Sequence, residues 1–204
     1  MEKEGENSLF VEVYIVGNLR WEKGMSELLF EKLENELDDL VSFLTNNSWD
    51  YHSDPNPSHE QVIKGFNKGW YQDDRETYWI EFHNEKIGLI IIHDISDTIP
   101  LFDIRLTNNI RGKGFGTKAV KWIVEHIFSL QDKKIRIEAY TRSDNIAMRK
   151  ALSNNGFVKE GHLRYAWENN DGTVSDSMLY AIIRSDWEND VVTPIENLMI
   201  FHSE

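Results

Sequence analysis

The stretch Arg111-Gly112-Lys113-Gly114-Phe115-Gly116-Thr117 decides how this chain is read. Upstream lies an apolar strand candidate, Leu101-Phe102-Asp103-Ile104-Arg105-Leu106. Downstream, Val120, Ile123, Val124, Ile127 and Phe128 recur on one face of a helix. Three glycines at alternate positions let the backbone turn tightly and aim its N–H groups at one point. A helix N-terminus adds partial positive charge there, and Arg111 and Lys113 add full charges. Such a turn is suited to a pyrophosphate.

Two common phosphate loops do not fit these letters. A dinucleotide-binding turn needs G-x-G-x-x-G, but Thr117 follows Gly116, and no well-placed acidic residue closes a βαβ unit. A Walker loop ends in G-K followed by Ser or Thr, whereas Gly112-Lys113 is followed by Gly114. What remains is R-G-x-G-x-G between a strand and a helix.

A second segment lies downstream. The strand candidate Ile135–Tyr140 leads into Thr141-Arg142-Ser143-Asp144-Asn145, where Asp144 is the expected N-cap. Ala147, Met148, Ala151 and Leu152 then recur at helical spacing, and Asn155-Gly156 supplies a stop. The glycine loop, followed by Asn145-Ile146-Ala147-Met148-Arg149 and Gly156-Phe157, resembles the paired cofactor motifs of the GNAT superfamily of N-acetyltransferases. Gly161-His162-Leu163-Arg164, with Gly172, Asp176, Tyr180–Arg184 and Trp187, is similar to the branch containing ribosomal-protein N-terminal acetyltransferases. The resemblance spans about residues 27–187.

This resemblance implies a mixed α/β (α+β) domain whose mostly antiparallel sheet has two splayed parallel central strands flanked by helices. It implies acetyl-CoA as co-substrate; seven scattered histidines and no cysteine argue against a metal site. The pyrophosphate would lie on Arg111, Gly112, Lys113, Gly114, Phe115, Gly116 and Thr117. The pantetheine would meet backbone donors of Arg105, Leu106 and Thr107, with Asn145 and Arg149 nearby. A primary amine would attack the acetyl carbon directly, so positioning of two reactants would supply most of the acceleration. Asp103 and Glu138, on the strands flanking the gap, are the leading carboxylates for a general base, and Asp176 is a third. Many GNAT enzymes carry a tyrosine acid where this chain has Leu152, and the ribosomal branch often has a serine where it has Met148. Neither side chain donates a proton. Tyr140, Tyr165, water or an unassisted thiolate would have to serve instead.

Composition bounds the partners. The chain has 204 residues, 40% of them hydrophobic, enough for one domain with a full core. A formal charge of −13 argues against nucleic acid and anionic lipid and favours cationic acceptors: small amines, basic peptides or protein N-termini, or aminoglycosides. A homodimer is compatible with this reading. Without cysteine there is neither disulfide nor thiolate nucleophile. No secretory leader or membrane-length apolar run is evident, so a cytoplasmic setting is expected.

Residues 1–24 are expected to be an extension, or an added strand over Leu9–Val16; 25–190 form the catalytic domain and 191–204 a tail. Leu28–Leu33 reads as the first strand, and Leu37, Leu40, Val41 and Leu44 as a helical face. Ser58 and Gln61 form a capping box opening the next helix, and Trp49, Tyr51 and His52 between the two helices would line the acceptor pocket. Thr77–Phe82 and Lys86–His93 are strands joined at His83-Asn84-Glu85, and the last strand covers about Ser177–Arg184. The predicted order is β-α-α-β-β-β-α-β-α-β-β. A non-catalytic acyl-CoA sensor is the rival reading from outside the enzymes.

Overall fold

The computed structural model describes residues 28–130 and 133–195. The strand candidate at Leu9–Val16 and residues 1–27 lie outside the described residues. β1 (Leu29–Lys32) is followed by α1 (Leu37–Thr45), α2 (His59–Asn67), β2 (Arg75–Phe82), β3 (Glu85–His93) and β4 (Leu101–Leu106). Then come α3 (Phe115–Ser129), β5 (Arg136–Arg142), α4 (Ile146–Ser153), β6 (Val158–Glu168), β7 (Val174–Ile183) and α5 (Arg184–Asn189). The predicted order holds, with two differences at the end. β7 starts three residues earlier than expected, and Arg184 opens α5 instead of closing a strand.

Local chemistry accounts for several boundaries. Ser58 and Gln61 close the capping box reciprocally: Gln61 N–H donates to Ser58 Oγ at 3.2 Å, and Ser58 N–H to Gln61 Oε1 at 2.7 Å. His83 and Asn84 both adopt left-handed φ, as a two-residue hairpin between twisted strands requires. The cap of α4 is Asn145, not Asp144. Asn145 Oδ1 accepts from Met148 N–H at 3.2 Å, while Arg142 grips the Asp144 carboxylate through Nε at 2.8 Å and Nη2 at 2.6 Å. The strand-end arginine takes the acid, and the amide beside it caps the helix.

The sheet runs β1-β2-β3-β4-β5-β7-β6, antiparallel except where β4 meets β5. Period-two alternation sends one set of side chains to each face. Ile90 and Ile92 join Phe102, Ile137, Tyr180 and Ile182 beneath α3 and α4. Leu89 and Ile91 join Trp49, Trp79, Leu40 and Leu44 beneath α1 and α2. β3 is therefore buried on both faces. Each large side chain so enclosed contributes about 1.5–3 kcal/mol of transfer free energy.

β4 and β5 share one ladder pair, Leu101 with Glu138. At their base Ile135 N–H reaches Thr98 O at 2.9 Å and Glu138 N–H reaches Pro100 O at 3.0 Å. Beyond that pair the two strands part toward their C-terminal ends. In parallel-strand regions such a parting leaves backbone groups without partners in the sheet, and ligands bind there.

Candidate active site

β4 delivers the chain into the glycine loop through a 3-10 turn at Asn108–Ile110. Gly112 and Gly114 adopt φ of +76° and +84°, a region costly for other residues. A Cβ built at either would meet nothing within 4 Å, so the turn is open on its outer side. Gly116 differs: it lies in the first turn of α3 without positive φ, and its Cβ would sit 3.5 Å from Leu106 Cδ1. No side chain caps α3, whereas Ser58 caps α2 and Asn145 caps α4. The first N–H groups of α3 are thus left to an outside acceptor, and a pyrophosphate is suited to them. Asn155 Nδ2 fastens this turn to α4 by donating to Thr117 O at 3.0 Å and Ala151 O at 2.7 Å.

The two cations of the loop face different ways. Lys113 is exposed beside the glycines. Arg111 turns back across the sheet, with Nε donating to Leu106 O at 3.0 Å and Nη2 to Ser48 O at 3.2 Å. Its Nη1 is 4.0 Å from Asp50 Oδ2. Asn145 and Arg149 are engaged structurally: Asn145 caps α4, and Arg149 Nη1 donates to Ser143 O at 2.7 Å.

Of the backbone donors expected for the pantetheine, one faces the gap. Thr107 N–H donates to Ile87 O at 3.0 Å, so it belongs to the β3–β4 ladder. Alternation along the strand puts Arg105 N–H on that same side and turns Leu106 N–H toward β5. By the same rule, Glu138 N–H points to β4, and Tyr140 N–H therefore faces the gap from the other strand. Three consecutive donors on one strand cannot all point one way.

The α1–α2 loop spans the C-terminal ends of both parting strands. Trp49 anchors it, fully buried, with Nε1 donating to Leu44 O at 2.9 Å. Arg111 holds Ser48 from the β4 side. From the β5 side, Arg142 Nη1 donates to Asp50 O and to Asn169 Oδ1, each at 3.1 Å, with its guanidinium 4.8 Å from the Tyr51 ring. His52 Nε2 lies 3.1 Å from Asp103 Oδ1.

Both leading carboxylates are already occupied. Asp103 Oδ1 holds His52, and Oδ2 is 3.5 Å from Arg105 Nη2. Burial alone would raise this carboxyl, but the His52 imidazole and the Arg105 guanidinium beside it outweigh burial and hold the group well below the usual carboxylate range. A carboxylate so held is a weak proton acceptor. Glu138 Oε1 is 2.9 Å from Arg136, and its Oε2 accepts from Tyr140 Oη at 3.1 Å. Asp176 accepts from Tyr165 N–H at 2.9 Å and lies 2.7 Å from His162, and the Tyr165 N–H bond leads the causes that lower its pKa. Neither expected acid position carries a donor: Leu152 is fully buried in the core and Met148 packs against it. Tyr165 is 80% exposed and Tyr140 is bound to Glu138. His93, which the sequence places beside Asp94, accepts from Arg75 Nε at 3.0 Å through Nδ1. Among the described residues no three His, Asp or Glu side chains converge as metal ligands, and no helix is long and apolar enough to cross a membrane.

Sequence reasoning placed His52 near the acceptor but not against Asp103, and it missed Asp50 and Asn169. These contacts join residues 51, 92 and 27 positions apart and leave no local signal.

The acetyltransferase (GNAT) domain family matches residues 27–158, well over half the chain. No curated protein sequence matches. Solved structures do. Spermidine N-acetyltransferase from Vibrio cholerae in complex with CoA and spermine superposes with a TM-score of 0.68 at 23% identity, over 79% of this chain and 98% of that one. A chimera of that enzyme with hSSAT gives 0.70 at 22% identity, over 80% and 99%. A dodecameric structure of the Vibrio cholerae enzyme gives 0.67 at 22%, over 80% and 97%. At these identities the likeness is one of fold.

Proposed function

The chain belongs to the GNAT acetyltransferase family, and from that premise we propose that it acetylates a cationic primary amine, which attacks directly in a ternary complex. Acetyl-CoA supplies the acetyl group as an activated thioester. The observation that carries the reading is the uncapped, outward-open glycine turn at the point where β4 parts from β5. The N–H groups at Gly114–Thr117 and the Lys113 ammonium would hold the pyrophosphate. Leu106 N–H would stabilise charge developing on the carbonyl oxygen. Arg111, engaged at Ser48, would reach the phosphates only by releasing that loop.

The acceptor would enter beneath Ser48–His52, between the parting ends of β4 and β5. Asp50 at its rim and the chain's net charge of −13 suit an amine carrying positive charge. The likeness of fold to spermidine enzymes supports a polyamine. The ribosomal-branch motif at Gly161–Arg164 supports a peptide or protein N-terminus, and an aminoglycoside also meets the charge requirement. A self-association like that of the dodecameric neighbour fits the same reading.

Burial of Leu152 favours one rival, an acyl-CoA sensor that binds without turnover, since no side chain at either usual position protonates the leaving thiolate. A thiol-release assay against peptides, polyamines and aminoglycosides decides. Free CoA with one class assigns the acceptor; acetyl-CoA binding with no thiol from any class establishes the sensor.

A further inference from the structure

Resting on that reading, we propose that His52 takes the proton from the acceptor ammonium and that Asp103 is its positioning residue. Asp103 is ionised and so can only accept a hydrogen bond. The 3.1 Å contact therefore requires hydrogen on His52 Nε2, which leaves Nδ1 of the neutral ring as a bare lone pair. Nδ1 is buried and meets no donor on the protein. A buried acceptor left unpaired is destabilising, and a substrate N–H supplies the missing partner.

The surroundings bias the ring toward this use. Asp103 faces it from β4, with Arg105 behind the carboxylate and 5.6 Å from the Trp49 ring. His93 from β3, and Tyr71 from the segment before β2, lie within electrostatic reach of the same carboxylate. Arg105 and His52 leave neither Asp103 oxygen free for an amine, so the proton goes to the imidazole and not to the acid. The acceptor N–H bond breaks, its electron pair stays on nitrogen, and the proton moves to Nδ1 as the imidazolium forms against Asp103. The neutral amine then holds the lone pair that attacks. Access to Nδ1 requires movement of Ser48–His52, which Arg111 and Arg142 hold from either side of the gap.

Two measurements test this. In the free protein, ¹⁵N-resolved imidazole spectra should show His52 protonated at Nε2 and bare at Nδ1; the opposite tautomer overturns the proposal. In turnover, kcat/KM for a high-pKa amine should rise with pH on a limb that His52→Gln removes, with a loss of roughly 10²-fold near neutrality. Asp103→Asn should move that limb to lower pH, and added imidazole should partly restore His52→Ala. Turnover with an unchanged profile in His52→Gln refutes the inference while leaving the acetyltransferase reading intact. Absence of turnover with every amine, alongside the Nε2–H tautomer, refutes that reading instead, and the proton transfer with it.

Discussion

Gly88 on β3 lies opposite Leu106, the last residue of β4, and replacing it with alanine tests whether the gap depends on that close approach. A Cβ at Gly88 would stand 2.7 Å from Arg105 O, 2.7 Å from Leu106 Cδ2 and 2.8 Å from Ile80 Cδ1. Two of those atoms belong to side chains that can adjust; Arg105 O is backbone and moves only if β4 moves. Overpacking of this kind costs about 1–3 kcal/mol. For a domain of this size, that lowers Tm by about 2–12 °C, at about 2–4 °C per kcal/mol. Displacing β4 also shifts Leu106 N–H, the donor facing the gap, and Asp103, which holds His52. Gly88→Ala should therefore weaken acetyl-CoA binding in calorimetry as well as lower Tm. Gly161→Ala is the control, since its Cβ would meet Leu179 Cβ at an ordinary 3.4 Å. It should be neutral or slightly stabilising through the unfolded state. Equal melting temperatures for Gly88→Ala and wild type would refute the reasoning.

At the glycine turn, Gly114→Val should weaken acetyl-CoA binding at least ~10-fold, about 1.4 kcal/mol, because it strains a positive-φ residue and fills the open turn; unchanged calorimetric affinity would remove the cofactor assignment. Arg142→Ala should speed hydrogen exchange at the Trp49 and His52 amides by roughly 10-fold as the α1–α2 loop loses its β5-side hold, and unaltered protection would mean that Trp49 alone fixes the loop. Glu76 is 2.9 Å from His126, whose hydrogen bond leads the causes that bring the Glu76 pKa down to about 2. A carboxyl depressed in the folded state stabilises fully above its unfolded value near 4.5, and that stability is lost as pH falls toward 2. Urea titrations between pH 5 and 2 should show Glu76→Gln flattening this acid loss, and parallel curves for the two proteins would exclude the pair as its source.

The parts of the fold that local chemistry dictates were legible. The capping box, the His83–Asn84 hairpin and the glycine turn each follow from neighbouring residues, and each stands where the sequence put it. The two leading carboxylates were also placed correctly on the strands flanking the gap. The pairing of each with the arginine two residues along its own strand, Arg105 and Arg136, is also local, because alternate residues share a face; His52 on Asp103, 51 positions away, was not legible. The spacing makes Asp144 a candidate cap. Two residues away, Arg142 competes for the same carboxylate, and a charge-assisted pair prevails over a cap bond. The sequence offers Arg105–Thr107 as one patch of donors, but alternation in a strand permits only every second N–H to face the gap.

The single ladder pair between β4 and β5 also has a thermal consequence. Hydrogen bonds join the strands within each half of the sheet, whereas the halves meet through a few bonds at the base, Lys134 Nζ to Ile95 O and Asp97 O among them, and through apolar packing under α3 and α4. Phe102 of the first half meets Phe157, which leads into the second, with ring centres 6.1 Å apart, and Ile92 and Ile137 share that core. Apolar burial weakens on cooling, while the ladders within each half do not depend on it in the same way. The seam where β4 and β5 part should therefore loosen in the cold before either half does, with amides at Ile135 and Glu138 losing protection ahead of those in β3.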